Sequence, residues 1–207
     1  MTTGLHGYPV EEPDPTQRVL WVGSRVLSAS VVIFFFAFVF AFAYLKAQNS
    51  RGLWNPGLKV SVVFSSVVLG AALLSALACR MGVRRLREDD TSTWQGWAAT
   101  SVLLGLGVIG LHVWQLNGLP FTPTQGGYAS VFVGWTVALI AVELGAMYWL
   151  YSVLSGTLRV TGEVDPYEGG TPPHIRHLVA SAHGYWFFWR VVAAVEIVAY
   201  VLLVLVR

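Results

Sequence analysis

Five blocks of about twenty or more mostly apolar residues, set apart by polar or Pro- and Gly-bearing connections, leave this chain few ways to fold. The blocks cover about 26–45, 58–79, 97–116, 128–153 and 185–206. Within each, the apolar residues run on without the one-face spacing of a helix packed on a soluble core. Charged residues make up only 12% of the 207, about half the share in soluble domains, and mean hydropathy is +0.61. The expected fold class is all-α: a polytopic integral membrane protein built as a bundle of five transmembrane helices. Residues 1–25 are expected to form an N-terminal tail and 26–207 the membrane domain. Glu11, Glu12, Asp14 and the prolines Pro9, Pro13 and Pro15 mark Met1 to Gln17 as extended chain, and no apolar h-region makes this a signal peptide. Leu154 to Gly184, with Asp165-Pro166, Gly169-Gly170 and Pro172-Pro173, is expected to be a cytoplasmic loop with turns.

Orientation follows from the basic residues. Arg18, Arg25, Arg80, Arg84, Arg85, Arg87, Arg159 and Arg176 fall on one side of such a bundle, against Lys46, Arg51, Lys59 and Arg207 on the other. The positive-inside bias places the N-terminus in the cytoplasm and the C-terminus outside. Aromatic residues at the block ends, among them Trp21, Trp54, Trp94, Trp114, Tyr128 and Trp186, match an interfacial belt. A formal charge of +2 gives no case for nucleic acid.

The chemistry-bearing residues are few. Cys79 is the single cysteine and reads as a small apolar side chain at a helix end. Gly105-x-Gly107-x-x-Gly110 lies inside a membrane block, so it is a packing feature and not a dinucleotide loop. His112 stands near the outer end of the third block, whereas His174, His177 and His183 lie in or beside the last cytoplasmic connection. His112 and His183 are thus about 22 Å apart across the membrane and cannot share a haem iron. No catalytic, cofactor or metal ligand set is expected. The candidate buried polar contacts are Glu143, deep in the fourth block, Arg190 and Glu196 in the fifth, and His112. Arg190 and Glu196 are about 120° apart on one helix and do not pair, so Arg190 is the expected partner of Glu143. The carboxylates are read either as a proton relay or ion site or as a helix-pairing contact, with Glu143 paired or protonated.

Three segments together resemble subunit III of haem-copper respiratory oxidases, in its five-helix form. They are SVVIFFFAFVFAFAYLKAQNSRGLW (Ser30 to Trp54); Trp97 to Tyr128, in which T-x-x-L-L-G-L precedes the FTPTQGGY loop; and YASVFVGWT (Tyr128 to Thr136). The last block, opened by Tyr185-Trp186, is similar in placement. Polar residues of that family are replaced here: its membrane carboxylate falls on Val31, its paired histidines on Leu139 and Val142, and its Gln and Glu near the third-helix exit on His112 and Gln115. Its Trp-His-Phe-x-Asp motif falls on Trp186-Phe187-Phe188-Trp189-Arg190.

The resemblance implies a non-redox accessory subunit in the inner (plasma) membrane of a prokaryote. It implies partnership with oxidase subunits I and II, which carry the haem and copper, and a bound phospholipid. The role so implied is to stabilise subunit I and its lipid and proton-uptake environment. The rival reading from the residues alone is a small transporter or an ion- or proton-conducting protein using Glu143, Glu196 and Arg190.

Overall fold

The computed structural model describes residues 15–49, 52, 54, 57–88, 90–160 and 173–206. They form five long helices, α1 (Pro15–Ala47), α2 (Val62–Arg87), α3 (Thr91–Asn117), α4 (Gly127–Val160) and α5 (Pro173–Tyr200). A π-helical stretch, Val201–Val206, continues α5. All five are long and apolar enough to cross a membrane, and no strand occurs among the described residues. The chain is an all-α, multi-pass membrane protein.

The helices outrun the apolar blocks. The first starts at Pro15 and not at Val26, so the tail shortens to residues 1–14, which lie outside the described residues. Pro suits a first helical position, because its missing N–H has no partner there in any case. The added turns are held by Arg25, whose guanidinium stacks 3.3 Å from the Trp21 ring centroid and 4.7 Å from that of Phe187 on α5. The connection expected over Leu154 to Gly184 is likewise mostly helix; only 161–172 lie between α4 and α5, again outside the described residues. Here Gly156 lies so close to Leu178 that a Cβ would overlap it, and contact between the two helices carries both past the apolar window.

Lipid is as apolar as leucine, so helices in a bilayer associate by close packing and shared hydrogen bonds, not by the hydrophobic effect. The α2–α3 hairpin is the tightest case. Ser75 and Ser101 exchange bonds, each hydroxyl donating to the other residue's carbonyl at 2.9 and 3.0 Å. The Trp189 indole N–H of α5 donates to the Ser75 hydroxyl at 3.2 Å, tying a third helix to the pair. Further along, a Cβ on Gly82 would stand 2.9 Å from the Trp94 ring and 3.1 Å from the Trp97 Cβ. The turn is short: Asp90 caps α3 by accepting the Thr93 N–H at 3.0 Å, and hydrogen bonding from the Thr93 side chain and then this N–H holds its carboxyl below the usual range. α5 then packs against α1, α2 and α4, with Gly184 admitting Ser24 of α1 at its closest crossing.

At the opposite end, the connections are folded onto the helices. Trp54 is buried against Phe42 and Tyr128, and its carbonyl accepts the Tyr128 N–H. Phe121 turns back over Tyr128 and Phe132, and the Ser130 hydroxyl donates to the Pro123 carbonyl at 2.6 Å. The Tyr128 hydroxyl donates to the Leu203 carbonyl, and Lys46 to that of Val206, so the π-helical end of α5 is anchored from two sides. Outward faces carry Ile33, Phe36, Phe40, Val63 and Leu103, all exposed, as lipid contact requires.

Because Gly82 sits against rigid indole rings, Gly82→Val is expected to destabilise the bundle by about 1–3 kcal/mol. Melting of the detergent-solubilised protein checks this; Gly107→Val, on an open face, should leave the midpoint unchanged.

Candidate functional site

Three ionisable side chains meet inside the bundle. His112 of α3, Glu143 of α4 and Glu196 of α5 are 4%, 0% and 5% exposed. His112 Nε2 lies 2.6 Å from Glu196 Oε1 and 3.6 Å from Glu143 Oε1. One ligand-type atom from each lies within 4.8 Å of the others. The first contact is a short, charge-assisted hydrogen bond; the second is too long for one. Neither Glu143 oxygen has a hydrogen-bond partner, nor has His112 Nδ1.

Depth counted from helix ends does not bring these residues together. His112 is five residues from the end of α3, about 8 Å, whereas Glu143 is sixteen residues into α4, about 24 Å. The folded loop reconciles the two. With Phe121 and Pro123 lying alongside the first turns of α4, that helix begins well beyond the last turn of α3, and Glu143 comes level with His112. Glu143 and Glu196 were legible as buried carboxylates from sequence; their common partner was not, because α3 and α4 are out of register.

The expected partner of Glu143 is elsewhere. Arg190 is exposed on the α1 side of α5 and makes no ion pair among the described residues. Its guanidinium instead stacks over Trp186 and Phe187, 4.9 and 4.3 Å from their ring centroids. The separation of Arg190 from Glu196 around the helix sends one to the lipid-facing side and the other into the bundle. The remaining histidines are not near the cluster. His183 takes the Arg87 Nε–H at 3.1 Å at the other end of the bundle, His177 is exposed, and the His174 side chain lies outside the described residues. Cys79 is fully buried in the core, in keeping with a packing role.

The cluster is not sealed on all sides. A cavity of about 30 Å³, room for one water, borders His112 and Glu196 and is walled also by Ser65, Gln115 and Thr136. Gln115 donates to the Ser65 hydroxyl at 2.9 Å. It also lines a second cavity of about 220 Å³ at the end of the bundle carrying the α3–α4 loop, with Lys59, Ser61 and Gly118. Gln115 thus stands between a cavity at that end and the one that borders the cluster, held by its bond to Ser65. Towards the other end the next α4 residues are Ala146, Met147 and Leu150, all buried and apolar. The faces next to the cluster are therefore polar on one side only.

Such an arrangement can store a proton or a cation and can pin three helices; among the described residues no polar lining continues from it towards the other end. Removing one partner of a buried pair costs about 3–5 kcal/mol, whereas replacing both by apolar residues is often neutral. Glu196→Leu is therefore expected to lower the melting midpoint more than the triple variant His112→Leu/Glu143→Leu/Glu196→Leu, a comparison made by thermal unfolding in detergent. The chain matches no known family model and no curated protein.

Proposed function

We propose that the chain is a subunit III-like accessory subunit of a haem-copper terminal oxidase, without redox centres of its own. It resides in the inner membrane of a prokaryote, N-terminus in the cytoplasm and C-terminus outside, and it packs on the haem- and copper-bearing subunits. The reading starts from the sequence segments that resemble subunit III. The observation that carries it further is a wide cleft between α1 and α5.

This cleft has a volume of about 690 Å³ and is lined by Val32, Phe36, Val39, Ala194 and Val198, with Trp135 of α4 and Arg190 among its walls. Apolar walls with a single cation suit a phospholipid whose acyl chains lie in the cleft and whose anionic headgroup meets the guanidinium. A lipid-holding wedge is what an accessory subunit of this kind presents beside its catalytic partner. The open glycines Gly70, Gly107 and Gly110 on α2 and α3 add a surface on which a partner helix can approach closely. The conducting alternative finds less support, because Arg190 stands apart from the two carboxylates and the cavity beside the cluster borders His112 and Glu196 but not Glu143.

A tagged chain extracted in mild detergent is expected to carry a haem-bearing oxidase subunit, read by mass spectrometry and by a Soret band. Purification of the chain alone, without that partner, sinks the proposal. Arg190→Leu is expected to lower the anionic phospholipid retained through purification several-fold, measured by lipid mass spectrometry.

A further inference from the structure

We propose that His112, Glu143 and Glu196 form a divalent-cation site of the zinc or manganese class inside the bundle, loaded from the end that carries the α3–α4 loop. The cluster sits in a medium where net charge is expensive. Two carboxylates and a neutral imidazole sum to −2, and one divalent ion cancels that charge. No fixed cation among the described residues does so: Arg190 is turned away, and neither oxygen of the fully buried Glu143 receives a hydrogen bond.

The geometry needs little change. Ligands about 2.0–2.2 Å from a common ion stand about 3–3.5 Å from one another. His112 Nε2 and Glu143 Oε1, 3.6 Å apart, are already close to that spacing. The 2.6 Å contact to Glu196 holds a proton between the two atoms; opening it by less than 1 Å, with that proton carried on His112 Nδ1 so that the imidazole stays neutral, lets the ion stand between Nε2 and the carboxylate. One imidazole nitrogen with carboxylate oxygens favours zinc, manganese or ferrous iron over calcium, which takes an all-oxygen shell.

The cavity beside Glu196 supplies room for a water ligand, and Gln115 is the side chain that must swing to admit the ion. His112 Nδ1 has no acceptor to orient the ring. Affinity is expected to fall about 10–100-fold below that of a site with such an acceptor. Since the apolar residues beyond Glu143 close the other side, the ion is held and not passed on. It would join α3, α4 and α5 at one point.

The test uses the full chain with whatever subunits accompany it, purified without a polyhistidine tag. It is stripped with chelator, reloaded with Zn²⁺ or Mn²⁺, desalted and analysed for metal by mass spectrometry. Wild type is expected to hold one ion per chain more than Glu143→Gln or Glu196→Gln, each still monodisperse and helical. Equal metal in wild type and both variants overturns the proposal. Should either variant misfold, the wild type decides: added Mn²⁺ is expected to raise its melting midpoint, and X-ray absorption of the zinc form to show one imidazole with oxygen ligands. An unchanged midpoint, or sulfur ligation, overturns it. The inference does not rest on the oxidase reading, because loss of a haem-bearing partner leaves these metal counts untouched.

Discussion

Hydrocarbon offers no partner to a polar group, and most of this architecture follows from that single constraint. Backbone groups are satisfied within the helices. Side-chain hydroxyls are satisfied locally: Ser28 donates to the Ser24 carbonyl, Thr136 to that of Phe132 and Ser152 to that of Tyr148, each back along its own helix. Where a hydroxyl reaches across instead, as between Ser75 and Ser101, it marks where two helices come closest. The contact needs small neighbours, and Ala72, Ala78 and Ala98, all buried, provide them along the same seam. Polar satisfaction and close packing are therefore one solution here, and Trp189 extends it to α5.

The His112–Glu143–Glu196 cluster is the exception that the constraint makes conspicuous. Its 2.6 Å contact satisfies one carboxylate oxygen, while Glu143 is enclosed without any donor. A bundle can tolerate such a group only if a proton or cation neutralises it. The carboxylate also stands where three helices converge, so whatever neutralises it bears on their mutual position. The wide α1–α5 cleft lies on the opposite side of α5, served by Arg190. One helix thus divides a buried ionic centre from an apolar cleft with one cation in its wall, with Arg190 and Glu196 on different faces of its own turns.

Folded ends matter as much as the spans. The aromatic cap of Trp54, Phe121, Tyr128 and Phe132 uses rings that belt arguments place at an interface, yet Trp54 and Tyr128 are 3% and 1% exposed. They are core residues of the bundle's end. The FTPTQGGY loop is the piece that sets the height of α4, and through it the height of Glu143.

From sequence alone, the length and continuity of the apolar blocks determined the number of spans, their helical character and the membrane as solvent. The separation of Arg190 from Glu196 around α5 was likewise legible, because it depends only on helical rotation, and both carboxylates are buried as expected of ionisable groups inside apolar blocks. Helix ends were not, since the turns beyond each apolar window are held by contacts such as Arg25 on Phe187 and Gly156 on Leu178. Nor was the pairing of His112 with the carboxylates. That depends on how far α4 is displaced along α3, a quantity decided by a folded nine-residue loop and visible only in the tertiary structure.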